Sequence, residues 1–144
     1  MKKGLLFLAA GLFLLASCSK FEEGPGFTLR SKKARLSGDW KLKEITVNGS
    51  NTYNGEPLMS DQYVLKLGIE KDGKYTMSET YTDPANAMYN DSETGTWDWK
   101  EDSLVLKSSD GSEEPLHVLR LSNSEFWIDE TDGTEKWVYK FEQE

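Results

Sequence analysis

Cysteine is almost missing from this chain: Cys18 is its single example, so no disulfide can form within it. Histidine is as scarce, with His117 alone. A metal centre or a histidine-based catalytic set needs clustered partners at ligand spacing. None is present, so His117 reads as a structural or solvent-facing residue. Basic charge is in short supply too: Lys and Arg number 17 against 25 Asp and Glu, a net charge of −8. Nucleic acid demands a basic footprint and is excluded as a partner. Broad contact with anionic headgroups is disfavoured as well, and the acids read as solubilising charge. There is no Gly-x-Ser-x-Gly elbow, no phosphate loop and no EF-hand spacing. Asp102, Asp110, Asp129 and Asp132 read as turn residues. These absences predict a protein that is not an enzyme and holds no cofactor or metal.

Long apolar runs are lacking except at the start. Lys2 and Lys3 precede an apolar core from Gly4 to Ala16, followed by Ser17-Cys18. That core is too short to span a hydrocarbon slab of ~30 Å as a permanent helix, and its charge order is that of an export signal. Leu15-Ala16-Ser17-Cys18 resembles the lipobox of bacterial lipoprotein signals. The resemblance implies removal of residues 1–17 and attachment of lipid to Cys18. It places the protein in the bacterial cell envelope, lipid-anchored at the outer membrane, on its periplasmic face or at the cell surface. The removed segment holds two lysines and no acid, so the net charge of the mature chain becomes −10.

Residues 18–27 (CSKFEEGPGF) are mostly polar and read as a lipidated, flexible tether. One domain fits the remainder, 28–144. Residues 28–36 predict one or two helical turns, with Thr28 as the candidate cap. Everything after Gly38 reads as strand. Eight runs rich in Val, Ile, Thr, Tyr, Phe and Trp occupy 39–48, 62–70, 74–82, 93–100, 103–109, 115–122, 124–130 and 135–142. Asp-Gly at 72–73, 110–111 and 132–133 supplies tight turns. The segments 49–61 and 83–92 are left as irregular loops.

Period-2 alternation gives each run an apolar and a polar face. Tyr63, Leu65, Leu67 and Ile69 share one side; so do Tyr75, Met77, Glu79 and Tyr81; so do Trp137, Tyr139 and Phe141. In residues 116–121 the parity switches between Val118 and Leu119, which predicts a bulge. Consecutive hairpins without a long crossover predict an all-β, eight-stranded antiparallel up-and-down barrel with a short helical turn ahead of it.

Gly38-Asp39-Trp40 opens the first run, and Gly95-Thr96-Trp97 lies in mid-chain. With the lipobox, these resemble the lipocalin-like lipoproteins of Bacteroidetes-type bacteria. The resemblance implies that Gly38 and Trp40 close one barrel end, and that a small hydrophobic or amphipathic ligand is carried. The sequence departs from lipocalins in having no arginine on its last strand to cover Trp40, which makes Arg35 the candidate substitute.

Tyr63, Tyr75, Tyr81, Trp97, Trp99, Trp137 and Tyr139 are the inward aromatics, and they form either a ligand pocket or a filled core. An eight-stranded barrel allows both; this much aromatic bulk favours filling. Were the core filled, the protein would be a structural or interaction module, meeting an envelope protein through 49–61 and 83–92.

Overall fold

A computed structural model describes residues 21, 29–60, 62–101 and 103–144. The signal segment, Cys18, most of the tether and Thr28 lie outside the described residues. Among the described residues, no helix is long and apolar enough to cross a membrane.

Among the described residues, a five-residue helix, α1 (Lys32–Leu36), leads into ten strands. Ser31 caps it: its hydroxyl accepts from the Ala34 amide at 3.1 Å, satisfying one of the free N–H groups at the helix start. Eight strands close a barrel: β1 (Gly38–Val47), β4 (Val64–Ile69), β5 (Lys74–Thr82), β6 (Met88–Lys100), β7 (Ser103–Ser108), β8 (Glu113–Leu121), β9 (Glu125–Asp132) and β10 (Glu135–Gln143). Their order round the ring is β1-β10-β9-β8-β7-β6-β5-β4, every neighbour antiparallel. This is the meander that the spacing of runs and turns predicts. The remaining pair, β2 (Thr52–Tyr53) and β3 (Glu56–Pro57), forms a small hairpin within 49–61.

The expected bulge is present. The β8–β9 register shifts between Val118 and Arg120, which lets both Val118 and Leu119 be buried. A second shift lies between Leu42 and Glu44 in β1. Trp127, flanked by apolar neighbours in sequence, lies on the outer wall with the Arg120 guanidinium 5.2 Å and the Lys140 amine 4.9 Å from its ring.

Two expectations are corrected. The strand predicted from residue 93 begins at Met88, because the β5–β6 ladder continues to Thr82↔Met88 and Tyr81 stacks on Tyr89 at 4.8 Å; the loop shrinks to 83–87. Asp129 is not a turn residue. It lies within β9 with its side chain 10% exposed, held between His117 at 2.5 Å and Lys136 at 3.1 Å.

Apolar side chains fill one half of the barrel. Trp40, Leu104, Leu121 and Phe126 are fully buried there, with Leu36 of α1 laid across the end. Phe21, on the stretch read as tether, is also buried and packs 6.0 Å from the Trp99 ring.

Candidate functional site

The closed end explains the Gly-x-Trp pattern. Gly38 holds φ +150, a conformation L side chains rarely adopt, as the chain turns from α1 into β1. Trp40 then points inward, with its indole N–H donating to the Leu36 carbonyl at 2.7 Å. The bond satisfies a helix C-terminal carbonyl that would otherwise be stranded in the core. Arg35 is buried and donates to the Leu121 carbonyl at 2.6 Å, which ties α1 to β8. Trp97 and Trp99 belong to this end too. The Trp97 N–H donates to the Glu70 carbonyl at 2.9 Å, and the Lys33 and Lys32 amines lie over the two indoles at 5.7 and 4.8 Å.

The other half is not filled. A cavity of about 270 Å³ lies above Phe141, Leu67 and Leu106, walled by Leu65, Met77, Leu116, Ile128 and Tyr139. Its rim carries Glu114 and Glu130. The β8–β9 ladder stops at His117↔Asp129, and beyond it Glu114 to Leu116 and Glu130 to Asp132 pair only with β7 and β10. The wall is therefore parted between β8 and β9, where Pro115 and Asp129 also line the cavity.

Three tyrosines stand on this inner face, each turned to a carboxylate. Tyr139 donates to Glu130 at 2.5 Å, Tyr75 donates to Glu93, and Tyr63 faces Glu79. Burial first, and the adjoining carboxylate second, push Tyr63 and Tyr75 up to about 12 and raise Tyr139 further. Both causes disfavour the phenolate. A raised folded-state value means that the folded protein keeps these protons where the unfolded chain, near pH 10, loses them. The resulting stability is intact below pH 10 and falls as pH rises toward about 12. Phenolate absorbance followed together with circular dichroism should therefore show one group of tyrosines ionising only as the barrel unfolds. Full ionisation of the folded barrel near pH 10 would contradict it.

Of the seven aromatics picked from the sequence, Tyr139 alone is among the residues lining the cavity. Tyr75 is buried below its acid partner, and Trp97 and Trp99 lie at the closed end. Trp137 packs 5.5 Å from Tyr53 of β2, and Tyr81 is exposed against Tyr89. The aliphatic walls and the acidic rim were not picked out, although their parity with Tyr63 and Tyr139 marks them. One half of the interior is filled and the other holds the cavity.

The family model of the lipocalin-like domain matches residues 36–128. Among solved structures, the chain is similar to an uncharacterized protein from Bacteroides eggerthii DSM 20697, with 14% identity, 75% of this chain and 98% of that one covered, and a TM-score of 0.46. It is similar to a lipocalin-like protein from Bacteroides uniformis ATCC 8492, with 13% identity, coverage of 74% and 97%, and a TM-score of 0.45. A third is Japanin from Rhipicephalus appendiculatus, solved bound to cholesterol, with 13% identity, 79% of each chain covered and a TM-score of 0.49. No curated protein matches the sequence.

Proposed function

Because this chain belongs to the lipocalin-like domain family, we propose that it is a membrane-anchored lipoprotein holding one small hydrophobic or amphipathic molecule in the open half of its barrel. The cavity of about 270 Å³ carries this reading. It is concave, mostly apolar and bounded by a few polar groups, the usual make-up of a small-molecule site. Its size of about 270 Å³ is just under the usual range of such sites, about 300 Å³ and up, which fits only a slender ligand. The anchor rests on Leu15-Ala16-Ser17-Cys18. Each buried methylene contributes about 0.8 kcal/mol, so a cysteine bearing two or more acyl chains holds its protein on a bilayer. The barrel then samples ligand at the outer membrane without catalysis.

A second reading is favoured by a separate observation. Tyr81, Met88 and Tyr89 are exposed together beside the 83–87 loop, an apolar patch suited to an envelope protein. The two readings are compatible, since the patch lies outside the cavity lining.

Native mass spectrometry of the protein purified from its producing cells tests the first reading. The expected result is a chain beginning at Cys18, heavier by a diacylglyceryl group, with a small non-covalent adduct that dissociates on activation. An unmodified chain retaining residues 1–17 would remove the anchor. A cavity that takes up no apolar small molecule, from the cells or added afterwards, would remove the ligand.

A further inference from the structure

The open half of the barrel is acidic on its inside. Met77 lines the cavity, and Glu79, two residues along β5, shares its face. The ladder sets Glu93 opposite Met77 and Asp91 opposite Glu79. Glu114 lies opposite Leu106, another lining residue, and Glu130 lines the cavity itself. These five carboxylates stand on the inner face above an apolar floor, and Asp132 and Glu135 share the same parity beyond them.

Among the described residues, the basic groups nearest the cavity are His117 and Lys136, and both are engaged by Asp129 at the β8–β9 parting. Among the described residues, the inner-face positions of this half, read by the same parity, hold no lysine, arginine or histidine. The connections at this end, 49–61, 83–87, 109–112 and 133–134, contain none in sequence either. The basic residues of α1 gather at the opposite, closed end. Glu79 and Asp91 are direct cross-strand partners, and like charges so placed are destabilising. Tyr63 faces Glu79, and the Tyr75 and Tyr139 hydroxyls donate to Glu93 and Glu130, but the tyrosines bring no positive charge. No group of three or more His, Cys, Asp or Glu among the described residues converges as a metal site would. The negative charge is spread round a ring, and a wide cation fits it better than a point charge.

We propose that the molecule held in this cavity is an amphipathic organic cation, an ammonium head attached to an apolar tail. The tail lies against Leu67, Leu106 and Phe141; the head sits level with Glu114 and Glu130, where the wall parts between β8 and β9. Charge-assisted hydrogen bonds to carboxylates give the head its selectivity. This inference rests on the cavity being a ligand site, and it adds the sign of the ligand's charge.

The test is calorimetric titration of the full chain at low salt with three probes of equal chain length: octylammonium, octanol and octanoate. Octylammonium should bind about tenfold tighter than octanol, as one charge-assisted contact provides, and octanoate should bind more weakly than both. In the variant carrying Glu114→Gln and Glu130→Gln the preference for octylammonium over octanol should shrink severalfold. Both residues are exposed at the rim, so the fold is retained. Equal affinity for the three probes, a preference for octanoate, or a preference for octylammonium unchanged in the variant would each overturn the cationic head and leave the cavity reading in place. Failure of all three to bind would overturn both.

Discussion

Gly95→Ala is expected to destabilise the barrel by about 3 kcal/mol or more, lowering Tm by roughly 10 °C or more. Gly95 sits on the inner face of β6, between Tyr75 on β5 and Ser108 on β7. A methyl group there would lie 2.1 Å from the Lys107 carbonyl oxygen and 2.7 Å from the Tyr75 ring. Neither contact is tolerable, and the nearer one is with backbone. The Tyr75 ring could be trimmed, but it is buried and its hydroxyl donates to Glu93. The Lys107 oxygen can retreat only by opening the β6–β7 ladder, which removes hydrogen bonds from a closed ring of strands. Adding Tyr75→Ala should accordingly fail to rescue Gly95→Ala, because it relieves the lesser clash. Thermal denaturation followed by circular dichroism measures both variants. A Gly95→Ala barrel melting within a degree or two of the parent would show that the strands part here at no cost.

Gly95 also marks how far the sequence alone could be read. Its place in Gly95-Thr96-Trp97 was visible as a pattern, but its reason is a close approach between strands, and no property of a single run encodes that. Parity, by contrast, was legible wherever alternation was clean, though the all-apolar run Phe126-Trp127-Ile128 left its own faces open. It assigned the inner faces of β4, β5 and β10, and the switch at Val118-Leu119 located the β8 bulge because a one-residue slip must be absorbed somewhere. Height along the barrel axis was not legible. Trp97 and Tyr139 both face inward, yet one lies by α1 and the other in the cavity wall. Alternation repeats every two residues wherever a strand sits, so it says which way a side chain points and nothing of the level it occupies. That level is set by the stagger between neighbouring strands. For the same reason the bulky rings at the closed end looked sufficient to fill the whole interior. Residues 88–92 were missed for a different cause. Met88-Tyr89-Asn90-Asp91-Ser92 is polar enough to read as loop, and it is strand because β5 extends far enough to pair with it.

The counterpart at the closed end is Trp40→Ala, with an expected loss of about 3–5 kcal/mol, comparable to the whole stability of a small domain. Trp40 is fully buried, its ring 5.8 Å from Phe126, which in turn lies 5.7 Å from Phe141 at the cavity floor. Alanine would leave a void at the base of this aromatic column and strand the Leu36 carbonyl without its donor. Trp40→Phe separates the two effects: it keeps most of the packing and removes only the N–H, so its cost should be the about 1–3 kcal/mol of an unsatisfied buried acceptor. Denaturant titration of the two variants gives both terms. The phenylalanine variant, still folded, should also keep the probe binding of the parent, since the Trp40 indole is not among the cavity's lining groups. If Trp40→Ala melts with the parent, the indole is not what holds the barrel's end shut. If Trp40→Phe folds but binds no probe, the filled and open halves are coupled through Phe126 and Phe141, and the cavity owes its shape to the closed end.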